Sequence, residues 1–418
     1  MAIVTDNPLL VGIDVGTTKV CALVGETDEV GDLRILGVGV EPARGLRKGV
    51  VVNVEDASES IANAVETAQR SAGYEIGAAF VSLSGSHITS VNSRGVAGIG
   101  GGAHGIDQED IERALDAAQA IAIPHGREVI HVIPRAFTVD GQDGIRQPLG
   151  MHGFRLEVEA HIITAATSFV QNLTKCVEAA GVTVEAFVLN PLASGEVLLT
   201  DTEKEMGAIV CDIGGGTTDL AVYLDGNVWH SMVLSVGGNH LSSDIAHGLR
   251  LPADTAEEIK IEYGHAFSGE VGPSESIMVQ PFGEDRPVQI SRLDLATIIE
   301  ARVEEMFTLV LQEVKRTGYD GLLPAGVVLT GGTSQLPGLR RVASEVLNLP
   351  CRVAAPGTLK GLVDKLQGPA FSTSVGLLRW AQTESQALPR GGKKRRGGLG
   401  RGRPDWGKSL SLFRRLLP

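Results

Sequence analysis

The sequence predicts two related α/β domains that face each other across a cleft, and three features lead there. An internal repeat gives LLVGIDVGTTKVCALV (9–24) and GAIVCDIGGGTTDLAVY (207–223) one layout: an apolar run ending in Asp, a Gly/Thr turn and a second apolar run. Apolar residues make up 43% of the chain and aromatics only 4%, which suits sheets cored by Val, Leu, Ile and Ala. The length, 418 residues, exceeds what one hydrophobic core organises.

Each repeat continues with a third apolar run, ILGVGV (35–40) and WHSMVLSVGG (229–238). A helix-like stretch follows each, EDASESIANAVETAQRSAG (55–73) and GGNHLSSDIAHGLRL (237–251), so the duplicated unit is β-β-β-α. Between the repeats, residues 84–165 read as an inserted subdomain. They combine a Gly-rich run (GIGGGAHG, 98–105), a polar helix candidate (107–122) and short alternating strands such as EVIHVIPRAFTVD (128–140). The Gly-rich run is read as lacking a preceding long strand and a following helix, and is set aside as a phosphate site. A second insertion, about 239–320, is helical and charged. GVVLTGGTSQLPGL (326–339) is a buried strand closing in a third Gly-rich turn. The folded body is expected to end near Trp380, before a Gly/Arg/Pro linker that cannot form a core.

The bulk properties narrow the function classes. Cys21, Cys176, Cys211 and Cys351 lie far apart with no CxxC pair, which argues against a zinc or disulfide framework and for a reducing compartment. The N-terminus has no secretory pattern and no stretch approaches the roughly 18 apolar residues of a membrane span, so a chain that is neither secreted nor membrane-spanning is expected. His125, His131, His152 and His161 show no metal spacing and read as ordinary strand and loop residues. From Ala381 onward ten Lys/Arg face Glu384 and Asp405, a charge of +8; with −13 overall, the first 380 residues carry −21.

The two Asp-x-Gly turns carry the chemistry. Gly16, Gly214, Gly215 and Gly216 allow close backbone approach, and Thr17, Thr18, Thr217 and Thr218 add hydroxyl donors. Lys19 adds a cation. Such turns suit phosphate oxygens, and Asp14 and Asp212 at the strand ends suit the Mg²⁺ that accompanies them, held through its retained waters. One such turn is ordinary hairpin chemistry. Two, 198 residues apart on matching strand pairs, with a third at Gly331-Gly332-Thr333, point to a nucleoside triphosphate.

These residues resemble the actin-like ATPase superfamily, shared by actin, heat-shock chaperone ATPases and sugar kinases. Asp14 to Lys19 matches its phosphate-1 motif, Asp212 to Asp219 its phosphate-2 motif, and Leu329 to Ser334 its adenosine motif. The resemblance implies an actin-like two-domain fold, ATP with Mg²⁺, and contact of Glu257 and Lys260 with the adenosine. By itself that pair is an ordinary i,i+3 ion pair on a helix surface.

Within the superfamily, the body up to about residue 380 resembles the FtsA family of bacterial actin-like division proteins. The resemblance is carried by SGSHITSVNSRGVAGI (84–99), HVIPRAFTVDGQDGIRQPLGMHGFRLEVEAHIIT (131–164) and SVGGNHLSSDIAHGLRLPADTAEEIKIEYG (235–264). The inserted subdomain is read as preceding the first connecting helix, as the FtsA 1C subdomain does in place of actin's 1B. The implied division is 1A at 1–83 with 166–200 and about 365–380, 1C at 84–165, 2A at 201–238 with 321–364, and 2B at 239–320. A flexible basic linker (381–404) and an amphipathic membrane-targeting helix (405–418) would follow. PilM-like pilus assembly proteins share the layout and are the alternative; a small-molecule kinase of the same fold is a more distant one.

The tail supplies an independent argument. On a helical wheel Trp406, Leu410, Phe413 and Leu417 cluster within about 60°, flanked by Leu412 and Leu416, with Lys408, Ser411, Arg414 and Arg415 on the other side. A short basic amphipathic helix after a linker is the pattern of an interfacial anchor on anionic lipid. The acidic body and the absence of a nucleic-acid fold argue against nucleic acid. The FtsA resemblance implies a polymerising tether at the cytoplasmic face of the membrane at the division septum. It also implies docking of the FtsZ C-terminal peptide on 239–320, and filament or other division-protein contacts through 84–165. The helix ARVEEMFTLVLQEVKR (301–316) is a candidate contact or an ordinary solvated face.

Kinases of this fold resemble each other in placing an Asp general base near the first connecting helix. Here EAFVLNPLASGEVLL (185–199) has Asn190 at that place, with Glu185 and Glu196 expected on strand or helix faces. Asp212, or a water held by Asn190, are the only candidate catalytic groups, and a weak ATPase or none is expected because positioning dominates phosphoryl transfer.

Overall fold

The computed structural model describes residues 9–100, 105–120, 123–357 and 359–387. The expected membrane helix, with Trp406, Lys408, Leu410, Leu412, Phe413, Arg414, Arg415, Leu416 and Leu417, lies outside the described residues.

Lobe 1 opens with β1 (Leu10–Val15), β2 (Lys19–Thr27) and β3 (Leu33–Pro42), the small hairpin β4 (Leu46–Arg47) and β5 (Val50–Val51), then α1 (Val54–Ala72) and β6 (Ala78–Leu83). The insert follows as β7 (Ile88–Gly98), α2 (Gln108–Ala120), β8 (Arg127–Val139), β9 (Gln142–Ile145) and β10 (Arg155–Ala166). The chain returns to lobe 1 for α3 (Thr167–Ala179), β11 (Thr183–Leu189) and α4 (Asn190–Leu198), and α5 (Asp201–Met206) leads out of it. Lobe 2 comprises β12 (Ala208–Ile213), β13 (Thr218–Leu224), β14 (Asn227–Leu234), α6 (Gly238–Leu249), α7 (Ala253–Tyr263), β15 (Ser276–Val279), β16 (Val288–Ser291), α8 (Arg292–Thr317), β17 (Gly326–Thr330), α9 (Leu339–Leu347) and β18 (Cys351–Val353). Short β19 (Lys360–Gly361) and α10 (Ser372–Ala387) rejoin lobe 1.

Each lobe is built on one sheet, ordered β11-β6-β1-β2-β3-β19 in lobe 1 and β14-β13-β12-β17-β18 in lobe 2. Each sheet joins an antiparallel three-strand meander to parallel strands, β6 and β11 or β17 and β18. Every residue of β1 and β12 is buried, as expected of strands covered on both faces, which explains their continuous apolar runs. The repeat holds at the level of register: Asp14 pairs with Cys21 as Asp212 pairs with Asp219, and Val15 with Val20 as Ile213 with Thr218. The turns match too, Gly16 N–H donating to Lys19 O at 3.0 Å and Gly214 N–H to Thr217 O at 2.9 Å.

Helix α1 starts where Asn53 Oδ1 accepts from Glu55 and Asp56 N–H, and ends at Gly73 with φ 75°. It lies so close to β3 that a Cβ at Gly39 would fall 1.9 Å from Ala64 O. The insert forms a separate sheet, β7-β10-β8-β9, with α2 on one face and its own core around Ile111, Phe137, Leu156 and Ile162. Its other face meets β14 of lobe 2. Ser90 Oγ donates to Ser231 O at 2.7 Å, His161 Nε2 lies 2.9 Å from Ser231 Oγ, and the Arg135 guanidinium sits 4.1 Å above the Trp229 ring.

The insert lies between β6 and α3, ahead of the connecting helix α4. The structure corrects several expectations. The insert's strands are long, 11 to 13 residues for β7, β8 and β10, because an antiparallel sheet with its own helix needs full-length ladders. The Gly-rich run therefore does follow a long strand and precede a helix. The second insertion is not purely helical, since β15 and β16 form a hairpin within it. Finally, α10 runs seven residues into the stretch read as linker. Ala381 and Gln382 are buried, and Gln382 Nε2 donates to Thr27 Oγ1 and Gly31 O, so tertiary contacts extend a helix that composition alone does not predict.

Candidate functional site

The two phosphate-type turns meet at the floor of a cleft of ≈ 530 Å³ between the lobes, within the range of small-molecule sites. The contact is close: a Cβ at Gly215 would lie 2.2 Å from Thr18 Oγ1, and one at Gly216 2.6 Å from Thr17 Oγ1. Gly49 N–H, from the β4–β5 turn, donates to Thr17 Oγ1 at 3.1 Å and braces the first turn.

Both carboxylates are buried at the ends of β1 and β12 and are held by hydroxyls. Asp14 accepts from Ser82 Oγ (3.0 Å) and Ser374 Oγ (2.7 Å). Asp212 accepts from Ser194 Oγ (2.8 Å) and Thr373 Oγ1 (2.7 Å). Burial raises the Asp212 carboxyl above the ordinary range; the Thr373 and Ser194 hydroxyls oppose that shift, and nearby Asp14 adds to it. Lys19 Nζ donates to Ala370 O and stands 4.5 Å over the Phe371 ring.

Of the expected nucleotide-binding residues, Asp14, Gly16, Thr17, Thr18, Lys19, Asp212, Gly214, Gly215, Gly216, Thr217, Glu257, Lys260, Gly331, Gly332 and Thr333 all line the cleft. Thr218 does not. It is 1% exposed and its Oγ1 donates to Val236 O at 2.8 Å, because neighbours on a strand point to opposite faces and Thr217 takes the cleft side. Glu257 and Lys260 are both things the sequence allowed, an i,i+3 ion pair at 2.6 Å and part of the cleft wall. Lys260 Nζ also donates to Ser242 Oγ and Gly238 O.

Asn190 lines the cleft at the start of α4, and its buried Oδ1 has no hydrogen-bond partner among the described residues. No Asp occupies that place. Glu185 lies on β11, and Glu196, on α4, pairs with Lys204. A carboxyl the sequence reading did not single out does reach the cleft, that of Asp219. It accepts from Ser84 Oγ (2.7 Å) and Thr217 Oγ1 (2.9 Å), and burial pushes it up to about 7, the range of a general base at neutral pH. Its signal was present, since it closes the second motif two residues after Thr217 on the same strand face. Ser82, Ser84, Ser194, Thr373 and Ser374 carried no sequence signal.

The residues fit a magnesium nucleotide. Glycines let the turns meet where a Cβ would clash, keeping their backbone N–H groups at the cleft floor, and the orphaned Asn190 Oδ1 belongs to a cleft-lining residue. Two carboxylates without a third ligand suit an ion that keeps waters and takes phosphate oxygens; among the described residues no group of three His, Cys, Asp or Glu is placed to hold a metal.

Two lobes of one duplicated topology, joined at a polar cleft and carrying an inserted subdomain on lobe 1, define an actin-like protein. Solved structures agree on the fold. The PilM–PilN type IV pilus biogenesis complex matches with TM-score 0.64 and 16% identity, covering 89% of this chain and 98% of that one. MreB5 of Spiroplasma citri bound to ADP matches with TM-score 0.51 and 16% identity, covering 90% and 98%. The family model "Cell division protein FtsA" matches residues 209–376, and "SHS2 domain inserted in FTSA" matches 85–164. Curated relatives named "Cell division protein FtsA" include those of Pseudomonas aeruginosa, 45% identical over 93% of each chain, and of Escherichia coli K12, 38% identical over 90% of this chain and 91% of that one. The Bacillus subtilis protein of that name is 38% identical over 90% and 84%. This chain belongs to the FtsA family and is an actin-like cell division protein.

Proposed function

We propose that the chain binds ATP with Mg²⁺ in the interlobe cleft, polymerises, and tethers FtsZ filaments to the cytoplasmic face of the membrane through its C-terminal tail. The observation that carries the nucleotide reading is the pairing of Asp14 and Asp212 on register-matched turns that touch at the cleft floor. The actin-fold neighbour MreB5 bound to ADP supports it.

In this reading the N–H groups and hydroxyls of the turns at 16–18 and 214–217 cradle phosphates, and Lys19 supplies a cation beside them. Asp14 and Asp212 would hold a magnesium ion through its waters, and the ion would supply neutralisation of phosphate charge. Glu257 and Lys260 wall the nucleoside side. Asn190 and Asp219 are placed to orient a water or accept its proton, so slow hydrolysis is within the site's chemistry, whereas a kinase-type Asp on α4 is missing. ATP then serves as a switch for lobe closure and assembly more than as a fuel for rapid turnover.

The anchor reading rests on the sequence of the tail. Six apolar side chains half buried at an interface gain about 1 kcal/mol each. Ordering the helix costs on the order of 1 kcal/mol per residue and offsets much of that. One tail is thus a weak, reversible anchor, and a polymer carrying many gains avidity. The division-protein relatives support a role in cell division; docking of the FtsZ C-terminal peptide on residues 239–320 belongs to the proposal and rests on the family resemblance.

The test is cosedimentation with FtsZ on anionic liposomes, with and without ATP. Intact protein should recruit FtsZ to vesicles, deletion of 404–418 should abolish vesicle binding while sparing ATP affinity, and Asp212→Ala should abolish nucleotide binding. Vesicle binding by the truncated chain would overturn the anchor, and unchanged ATP affinity in Asp212→Ala would overturn the cleft assignment.

A further inference from the structure

Consecutive residues at the start of α10 grip the carboxylates of opposite lobes. Thr373 Oγ1 donates to Asp212 Oδ2 and Ser374 Oγ to Asp14 Oδ2, both at 2.7 Å. The four residues are 0–7% exposed, so water does not compete for these bonds. Neighbours on a helix diverge by about 100°, which lets one turn of α10 address both β1 and β12.

The grip on Asp212 crosses between lobes. Its two hydroxyl donors, Ser194 on α4 and Thr373 on α10, belong to elements of lobe 1, whereas Asp212 ends a lobe 2 strand. Asp14 is held wholly within lobe 1, by Ser82 and Ser374. The segment just before α10 bridges the lobes in the same way. Ala370 O accepts from Lys19 of lobe 1, Gly331 N–H of lobe 2 donates to Pro369 O at 3.2 Å, and Ser372 Oγ lies 2.7 Å from Thr330 Oγ1. Residues 369–374 are therefore a joint that touches all three Gly-rich motifs or their flanking strands.

A free carboxylate rotates about its terminal bond, and a metal held through water needs both acceptors in one orientation. We propose that Thr373 and Ser374 are positioning residues that lock Asp14 and Asp212 into a single metal-facing arrangement, available only when the lobes are docked through α10. The role rests on the nucleotide reading above and deepens it. An O–H···O bond at 2.7 Å is lost with under 1 Å of separation, so lobe opening at this joint releases Asp212 from Thr373 and Ser194. Metal affinity and lobe docking are then one equilibrium.

The test uses the full-length protein and ATP as the probe. Affinity is measured by calorimetry with magnesium and with chelator, and the readout is the ratio of the two, alongside thermal melting to check the fold. Thr373→Val and Ser374→Ala should each lower the magnesium enhancement about ten-fold, the scale of one charge-assisted hydrogen bond. Thr373→Ser, which keeps the donor, should retain it. Should Ser374→Ala unfold the chain, Ser374→Cys, a weak donor of similar size, replaces it. An unchanged ratio in Thr373→Val and Ser374→Ala overturns the clasp, even where affinity falls equally in both arms. Loss of the ratio in Thr373→Ser as complete as in Thr373→Val also overturns it, since packing would then be the cause. A wild-type protein that binds no ATP, or binds it equally with and without magnesium, overturns the nucleotide reading and the clasp with it.

Discussion

Gly215→Ala probes the junction of the two phosphate turns directly. The added Cβ would lie 2.2 Å from Thr18 Oγ1 and 3.1 Å from Asn239 Oδ1. Ordinary contact begins near 3.4 Å, so the turns must separate by about 1 Å or the Thr18 side chain must rotate. Rotation offers partial relief, because one of the two other Thr18 rotamers puts the methyl where the hydroxyl was and β-branching restricts χ1. Overpacking of this kind costs about 1–3 kcal/mol, or roughly 5- to 150-fold in a binding constant. The strain falls between the lobes and spares the cores within them, so ATP–magnesium affinity should drop by that factor with only a small fall in thermal stability. The measurement is a double-mutant cycle by calorimetry with Thr18→Ala, which removes the clashing atom at its own cost. Gly215→Ala should cost less in the Thr18→Ala background than in wild type. Equal costs in the two backgrounds would refute the steric argument, and no cost in either would refute the placement of the turns.

Three other expectations follow from burial and charge. Phe307 on α8 is 1% exposed, and Phe307→Ala should destabilise the chain by about 3–5 kcal/mol in urea denaturation while leaving ATP affinity of the folded protein unchanged. His131 is held neutral in the core, where its Nε2 accepts from Leu189 N–H and burial pulls its pKa from 6.5 to about 4. A depressed histidine contributes stability that is present above pH 6.5 and lost as pH falls toward 4, here about 3 kcal/mol; denaturation at stepped pH should show that limb, and His131→Gln should flatten it. Truncation after Trp380 removes buried Ala381 and Gln382 and should lower the melting temperature, whereas truncation after Ala387 should leave it unchanged.

Much of the site was legible because its chemistry is local. A strand ending in Asp and a Gly/Thr turn is a contiguous pattern, and repetition at one spacing of 198 residues revealed the two lobes before any contact was known. The register of β1 with β2 and of β12 with β13 preserves that spacing residue for residue. Thr218 was misplaced although strand alternation, with Thr217 and Asp219 on one face, held the answer. The same alternation would have brought Asp219 forward as a cleft carboxyl. The histidine spacing gave no hint that His161 bridges the insert to lobe 2.

What the sequence determined alone is the duplicated unit, the two buried carboxylates at the strand ends and the glycines beside them, since each depends on neighbours a few positions away. Tertiary structure decided which hydroxyls hold those carboxylates. Thr373 lies 161 residues from Asp212, and Ser374 lies 360 from Asp14. Serine and threonine are too common for such pairings to be read from spacing. Only the return of the chain through β19 and α10 to lobe 1 brings them to the cleft, where burial makes each hydrogen bond costly to lose.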